Sequence, residues 1–294
     1  MEDKSKYILY INGGVMAGIF GAGVVTALEE SGIYDKWKAI YGSSAGALTA
    51  AYFLSGQAKL GSSIFYDDLV HDFITPRYVP LGTWDRFRSR YFKKLPVERM
   101  RNPIDINYLF EVVSGSKKLD SESLIKRNVE FYAHVLNTEN MKSEFVDICR
   151  SENPLEDLKS AVSAVPYYFP KRGLFIDGDI INPFPIGDII KLHPGHRVVA
   201  VINIMPRKLI RRFLKAILEG FVASSMYGVK IWKVYLLRDY RAKRELRNIL
   251  HNKDILIVSP DNSLKLWPNT LNRKKLLRAY QEGIDSGRKL AASL

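Results

Sequence analysis

Cysteine and histidine are scarce in this sequence, and their scarcity excludes several kinds of site. The chain of 294 residues contains a single cysteine, Cys149, so neither an intramolecular disulfide nor a cysteine-rich metal site can form. None of its five histidines belongs to a His-Glu-x-x-His motif, the usual mark of a helical zinc site. We therefore expect neither a metal nor any other cofactor.

Acidic residues are fewer than basic ones, which narrows the choice of partner. The 31 acidic residues are opposed by 44 lysines and arginines, so the formal net charge is +13. A charge of this size favours an anionic partner, either a membrane surface or a nucleic acid. Because no zinc-finger, RNP-type or basic-zipper pattern occurs, we expect an anionic membrane surface rather than a nucleic acid.

A long uncharged run near the start of the chain lacks the composition of a membrane helix. It extends over residues 7–28 and contains a G-x-x-x-G spacing, so a transmembrane helix or a signal anchor is one interpretation. Its five glycines disfavour a continuous helix. We predict three elements instead: a strand over 7–12, a glycine loop over 13–18 and a helix over 19–31. Without a leader or a span, we expect a cytoplasmic protein that associates peripherally with membranes.

The most informative stretch follows this helix. Residues 38–41 indicate a short buried strand and residues 45–51 a helix of small residues, with a G-x-S-x-G motif from Gly42 to Gly46 between them. The central serine of such a motif, here Ser44, stands on a sharp strand-to-helix turn that exposes its hydroxyl group. The N-terminus of the following helix also offers free N–H groups to an oxyanion. The spacing therefore predicts a nucleophile elbow.

The order of the predicted elements indicates an α/β fold. Strand, loop, helix, strand, elbow and helix succeed one another, as in a parallel sheet with crossover helices. Further elements are predicted downstream: strands over 129–136, 143–150, 173–179, 197–204 and 255–260, and helices over 158–165 and 272–292. No repeat or low-complexity linker divides the chain, so we expect a single domain over 1–294.

Two segments depart from this regular pattern. Residues 57–124 combine clustered charges, aromatic rings and four prolines, which indicates short helices forming either a cap over the sheet or ordinary surface structure. Between positions 207 and 247, twelve basic residues are opposed by three acidic ones, and apolar residues fall on one helical face. This basic amphipathic segment, 205–250, fits either a helix lying in an anionic membrane interface or a helix whose apolar face packs on the core.

Three blocks of sequence, taken together and in this order, resemble the patatin-like phospholipases. The first is the glycine-rich loop and helix that begin at Asn12, the second is the elbow around Ser44, and the third spans residues 161–183 and contains an Asp-Gly-Asp motif. The resemblance covers nearly the whole chain. It implies an α/β fold with a central, mostly parallel sheet, helices on both faces and a helical insertion.

The resemblance also implies a chemistry and the residues that carry it. Members of the family are serine lipid acyl hydrolases with a Ser–Asp dyad and no histidine, so Ser44 would be the nucleophile and Asp177 the base that takes its proton. The substrate would be a phospholipid or a related acyl lipid. The oxyanion would be bound by the backbone N–H groups of Gly13, Gly14, Val15, Gly18 and Ala45. The motif glycines are Gly42, Gly46 and Gly178.

Three positions depart from the family pattern. Val15 replaces a glycine and Ala17 a basic residue in the oxyanion loop, and Asp179 stands where glycine or alanine is usual. Valine is disfavoured at positive φ, so we expect the loop to be shaped differently or to need no left-handed residue at position 15. The second carboxylate is expected either to raise the pKa of the dyad or simply to face solvent.

Other hypotheses are compatible with the same residues. His193 or His196 would complete a Ser–His–Asp triad in a permitted chain order, although both flank Pro194-Gly195 and are expected to be solvated in a turn. A catalytically weak fold used as a basic membrane- or nucleic-acid-binding module would account for Val15 and Ala17. A dinucleotide-binding enzyme is disfavoured because the G-x-G-x-x-G spacing fails at Val15.

Overall fold

A central seven-stranded sheet organises the protein, for which a computed structural model describes residues 6–92, 101–170, 173–205 and 210–294. Its strands are β1 (Tyr7–Ile11), β2 (Trp37–Ser43), β3 (Glu130–Asn137), β4 (Lys142–Asp147), β5 (Phe175–Asp177), β6 (Val198–Val201) and β7 (Ile255–Val258). Parts of the predicted 57–124 insertion and of the basic segment, including Arg207 and Lys208, lie outside the described residues.

The sheet is mostly parallel, as the order of the predicted elements indicated. Its strands are arranged β4-β3-β2-β1-β6-β7, and β5 pairs with β3 outside this path. The neighbouring pairs β3–β2, β2–β1, β1–β6 and β6–β7 are parallel. By contrast, β4 and β5 each run antiparallel to β3. Parallel strands end at a common edge, which is where α/β proteins build their sites.

Helices cover both faces of this sheet, which confirms the predicted α/β architecture. They are α1 (Ile19–Glu30), α2 (Ala45–Leu54), α3 (Ala58–Ser63), α4 (Tyr78–Phe92), α5 (Ile106–Ser114), α6 (Ser121–Lys126), α7 (Pro154–Ala161), α8 (Ile186–Leu192), α9 (Ile210–Tyr227), α10 (Val229–His251) and α11 (Arg273–Ala291). Side chains of β1 alternate between the faces. Leu9 and Ile11 belong to the core shared with α1, α2 and α11, whereas Ile8 and Tyr10 belong to the core shared with α8 and α10.

The uncharged run near the start folds as a strand, a turn and a helix. β1 is followed by a 3-10 turn over Val15–Gly18 and then by α1, so the run is divided as the glycines predicted. In the part of the chain that the structure describes, no helix combines the length and the apolar composition needed to cross a bilayer.

The helix predicted over 158–165 begins and ends earlier than expected. It is α7, which starts at Pro154 because the side chain of Asn153 caps it and proline suits the first helical turn. It ends at Ala161, and the chain then turns so that the backbone N–H of Asp177 donates to the carbonyl oxygen of Ser163 at 3.3 Å. Because α7 ends early, the residues that follow it can hydrogen-bond to β5.

The basic segment forms a helical hairpin of α9 and α10 with an unexpected exposed face. Ala216 and Ala223 of α9 are buried, but Leu214 and Leu218 are each 66% exposed and Phe221 is 51% exposed. The interpretation in which the apolar face of this helix packs on the core is therefore wrong for these three side chains. On α9, small residues are buried while these three large side chains meet solvent, whereas α10 buries Ile231 and Tyr235.

Helices α1 and α11 pack with their backbones in direct contact. A Cβ atom added at Gly23 would lie 2.3 Å from the carbonyl oxygen of Tyr280, and one added at Gly283 would lie 2.2 Å from that of Phe20. Neither backbone oxygen can move without displacing its helix. The absence of side chains at these two positions therefore fixes the spacing of the helices.

We expect Gly283→Ala to lower the free energy of unfolding by about 1–3 kcal/mol, because the added methyl group overpacks this contact. Urea unfolding followed by circular dichroism measures the effect. Gly173→Ala is the matched control, since a Cβ atom there would lie 3.4 Å from its nearest neighbour and the change should stay within about 0.5 kcal/mol. Equal stability of the two variants would contradict the close approach of α1 and α11.

Candidate active site

The register of the sheet brings Ser44 and Asp177 together. β2 pairs with one edge of β3 as far as Ser43, which lies opposite His134. β5 pairs with β3 from the next residue onward, so Asp177 lies opposite Val135. The end of the elbow strand and the end of the aspartate strand therefore meet at consecutive positions of β3. The serine that follows Ser43 is thus held beside the Asp177 carboxyl group.

Ser44 occupies the strained turn that a nucleophile elbow requires. Its φ is 50°, a left-handed value that non-glycine residues seldom adopt, and it directly precedes α2. The turn is tight because a Cβ atom at Gly42 would lie 2.4 Å from Ala47 Cα, and one at Gly46 would lie 2.2 Å from the Ile11 carbonyl oxygen. The motif glycines are therefore needed for strand and helix to pass this closely.

The Asp177 carboxyl group is buried and its pKa is raised. It is 3% exposed, and this burial raises its pKa to about 6. Three other influences lower this pKa: hydrogen bonds from the Ser44 hydroxyl and the Asp179 backbone N–H, and the charge of Arg238. A carboxylate that titrates near neutrality is basic enough to accept a proton yet ionised at pH 7.

The glycine-rich loop turns back beside Ser44, and Val15 adopts a conformation that the sequence did not lead us to expect. Its φ is 52°, so the expected avoidance of a left-handed residue at this position is wrong. Gly14 has a φ of 146°, and Gly13 packs against the Ser44 side chain. Among the described residues, no acceptor pairs with the backbone N–H groups of Gly13, Gly14 and Val15. These donors are available to a ligand.

A buried asparagine fixes this loop. The side-chain amide of Asn203 donates to the carbonyl oxygens of Asn12 (2.5 Å) and Gly13 (3.3 Å), and its oxygen accepts from the backbone N–H of Gly21 at 2.8 Å. The loop is thereby tied to the start of α1. This connection compensates for the strain that Val15 imposes on the turn.

Gly18 and Ala45, also predicted to bind the oxyanion, pack against each other. A Cβ atom at Gly18 would lie 3.1 Å from that of Ala45, so the 3-10 turn and α2 are in contact. The N–H group of Ala45 belongs to the first turn of α2, where backbone donors have no intrahelical acceptor. Gly18 lies at the end of the 3-10 turn.

The aspartate turn rests on a histidine that the sequence analysis did not select. A Cβ atom at Gly178 would lie 2.4 Å from Nδ1 of His134, so only glycine fits there. This ring is fully buried and hydrogen-bonds Ser43 Oγ at 3.0 Å and Ser143 Oγ at 2.7 Å. Burial lowers the pKa of His134 to about 3, so the imidazole is neutral.

Asp179 does not simply face solvent. Its Oδ2 lies 2.1 Å from where a Cβ atom of Gly13 would be, and its Oδ1 is buried without a hydrogen-bond partner. Burial raises its pKa well above the usual range, and the charge of Asp177 adds to the shift. One turn therefore carries two carboxyl groups, of which Asp177 is buried and Asp179 half-buried.

His193 and His196 lie away from the dyad and are buried, contrary to the expectation of solvated rings. Nε2 of His193 hydrogen-bonds the Tyr41 hydroxyl at 2.8 Å, and the two imidazoles lie 6.0 Å apart. Tyr41 faces the core shared with α8 and α10. Ser44 opens instead to the face covered by α2.

An apolar pocket leads away from Ser44 beneath the helices that follow it. Its walls include Val15, Leu48, Phe73 and Leu109. The polar groups of its walls bond internally, as Thr49 Oγ1 does by donating to the Ala45 carbonyl oxygen at 2.9 Å. Such a space favours an extended hydrocarbon chain over a polar group.

Within the described ranges, no three histidine, cysteine or acidic side chains are grouped closely enough to bind a metal ion.

The supporting residues that the sequence analysis missed are Asn203, Ser43 and His134. Asn203 carried one usable signal, since it follows β6 and parallel strands end at the same edge of a sheet. Asn12 follows the neighbouring β1 in the same way. His134 gave no signal, because its role depends on the antiparallel return of β5.

Comparison with known proteins identifies one family and two similar structures. The sequence model of the family described as patatin-like phospholipase matches residues 9–190. VipD from Legionella pneumophila is 15% identical with a TM-score of 0.49, and the alignment covers 99% of this chain and 67% of VipD. The type III effector protein ExoU is 14% identical with a TM-score of 0.33, and this chain, covered over 98%, spans 53% of its length. No curated protein matches the sequence.

We expect Asp177→Asn to stabilise the protein at neutral pH. Because the folded-state pKa is raised, the stability contributed by this group is complete below the unfolded-state value and is lost as the pH rises through about 6. The variant should therefore be more stable at pH 8 by about 1–3 kcal/mol and equally stable at pH 4.

Urea unfolding from pH 4 to pH 8 measures this difference, with the exposed Asp285→Asn as the control that should show none. A stability difference between wild type and Asp177→Asn that is independent of pH would contradict the raised pKa.

Proposed function

Since this chain belongs to the patatin-like phospholipase family, we propose that it is a lipid acyl hydrolase that cleaves carboxylic ester bonds of phospholipids or related acyl lipids. The observation that carries this proposal is the juxtaposition of Ser44 and Asp177 at the mouth of an apolar pocket. Ser44 acts as the nucleophile and Asp177 as the base. Family membership supports the lipid hydrolase activity, and the local geometry supports the residue roles.

The first half of the reaction forms an acyl-serine. The ionised carboxylate of Asp177 takes the proton of the Ser44 hydroxyl as its oxygen attacks the ester carbonyl carbon. The resulting oxyanion accepts hydrogen bonds from the unpaired N–H groups of the Gly13–Val15 loop and from Ala45 at the start of α2. As the carbon–oxygen bond to the alcohol breaks, Asp177 returns the proton to the leaving alkoxide.

The second half releases the fatty acid. Asp177, ionised again, takes a proton from a water molecule that attacks the acyl carbon, and the same N–H donors bind the second oxyanion. Collapse of this intermediate returns the proton to Ser44 Oγ and frees the carboxylic acid. Each proton removed by Asp177 is thus delivered within the same half-reaction.

The pocket accounts for the choice of an acyl substrate. Leu48, Phe73 and Leu109 line it, and its polar wall groups are already satisfied, so a hydrocarbon chain enters without leaving donors unpaired. Apolar surface removed from water contributes about 25 cal/mol per Å². A chain in this pocket would hold the ester carbonyl at Ser44 while the headgroup faces solvent.

The buried histidines favour a dyad over a triad. His193 is engaged by Tyr41 on the opposite face of the sheet, and His134 is neutral and bonded to two serines other than Ser44. Neither arrangement supplies a histidine base to the nucleophile. Asp177 supplies the base in its place.

We expect a fluorophosphonate probe to label Ser44, with Ser44→Ala unlabelled and Asp177→Asn labelled about 100-fold or more slowly, since a positioned base contributes that much to serine attack. Labelling should also slow below about pH 6, because protonated Asp177 no longer accepts a proton. Peptide mass spectrometry locates the label. His193→Asn and His196→Asn are the controls, which should label as fast as wild type; loss of labelling in either folded variant would favour a triad.

We propose further that the α9–α10 hairpin contacts an anionic membrane surface. An exposed apolar stripe at helical spacing is formed by Leu214, Leu218 and Phe221 of α9. At the start of α10, Lys230 and Lys233 are also exposed. An apolar stripe flanked by cations matches the interface of an anionic bilayer. A phospholipid substrate would be met at the same surface.

Replacing Leu218 and Phe221 together by serine should weaken binding to phosphatidylserine-containing vesicles by about tenfold or more, because each apolar side chain contributes about 1.5–3 kcal/mol when buried. Vesicle co-sedimentation measures the loss. Leu192→Ser is the matched control, since Leu192 is 58% exposed and lies on α8, outside the apolar stripe of α9. Equal loss in the control, or none in the double variant, would remove the hairpin from the proposed membrane contact.

A further inference from the structure

A second carboxyl group stands beside the proposed nucleophile. The backbone N–H of Asp179 donates to Asp177 Oδ1 at 2.9 Å, which fixes the turn that carries both side chains. The Asp179 side chain points toward the oxyanion loop, because a Cβ atom at Gly13 would lie 2.1 Å from its Oδ2 and 2.8 Å from Ser44 Cβ. Its carboxyl group therefore fills the space between the loop and the serine.

Little in the surroundings of Asp179 would stabilise a second negative charge. The Tyr10 hydroxyl lies on β1 and donates to the Ser43 hydroxyl of β2, and Ser43 lowers the pKa of Asp179. On β3, the neutral His134 hydrogen-bonds the Ser43 hydroxyl. Its Oδ1 is buried without a hydrogen-bond partner.

Arg238, a cationic side chain that acts on both carboxyl groups, already forms an ion pair with Glu219. Arg238 of α10 lowers the pKa of both carboxyl groups, but its guanidinium donates to Glu219 Oε2 at 2.9 Å. Two carboxylates this close together oppose each other's ionisation, and the charge of Asp177 raises the pKa of Asp179. One proton is therefore retained between Asp177 and Asp179.

We propose that Asp179 is a positioning residue that retains this proton beside Ser44, leaving Asp177 as the ionised base, and that its ionisation at alkaline pH switches the site off. The inference rests on the hydrolase function proposed above. A neutral Asp179 leaves no negative charge next to the Gly13–Val15 donors, where the oxyanion develops. An ionised Asp179 opposes the oxyanion electrostatically and competes for those donors.

We expect the rate of ester hydrolysis to depend on pH in a bell shape, with one limb set by each carboxyl group. Hydrolysis of a soluble p-nitrophenyl ester should rise as Asp177 ionises and fall by about tenfold per pH unit as Asp179 ionises. Asp179→Asn keeps the shape and polarity of the side chain but holds no titrating proton. It should retain the acidic limb and lose the alkaline limb.

The experiment compares wild type, Asp179→Asn and Asp179→Ala, with Asp188→Asn on α8 as a control that should keep both limbs. Asp179→Ala should also lose the alkaline limb, which keeps the test available if the asparagine variant folds poorly. An alkaline limb that persists unchanged in either folded variant would overturn the proposal.

A second measurement separates this proposal from the hydrolase function. Urea unfolding as a function of pH needs no activity, and the stability of Asp179→Asn relative to wild type should increase as the pH rises into the alkaline range. That increase without any ester hydrolysis would support the retained proton and contradict the proposed function. A stability difference that does not change with pH would contradict the retained proton whatever the activity.

Discussion

One edge of β3 carries two strands in succession, and the rest of the site depends on that arrangement. β2 occupies the edge as far as His134, and β5 takes it from Val135 onward. The register leaves no gap between the strand that delivers Ser44 and the strand that delivers Asp177. Because a slip by one residue would turn either strand's side chains to the opposite face, the hydrophobic pattern that fixes the register also fixes the proposed dyad.

The site combines features that reduce stability with packing that compensates for them. Ser44 and Val15 both hold left-handed backbone conformations, and Asp177 keeps a carboxyl group out of water. Asn203 ties the loop to α1, while His134 supports the aspartate turn from below. Backbone strain and a buried carboxyl group concentrated at one place are typical of a site organised for chemistry. The hairpin acts on this site through Arg238 of α10, whose charge lowers the pKa of Asp177.

Sequence reasoning succeeded where local chemistry determines the structure. The elbow around Ser44 and the division of the N-terminal run follow from glycine positions and short-range periodicity, which are properties of neighbouring residues. The contacts of Asn203 and His134 join residues far apart in the chain, so only the strand order could locate them. The φ of Val15 was missed because tertiary hydrogen bonds outweighed a local preference. Periodicity identified the apolar face of α9 but not that Leu214 and Leu218 would lie uncovered.

The central claim is that Ser44 and Asp177 act as one catalytic unit, and a double-mutant cycle tests it most directly. The rates of ester hydrolysis by wild type, Ser44→Ala, Asp177→Asn and the double variant are compared at one pH. Groups that act as a unit are strongly non-additive, so the double variant should be no slower than Ser44→Ala alone. Losses that multiply in the double variant would show that the two side chains act independently and would contradict the account.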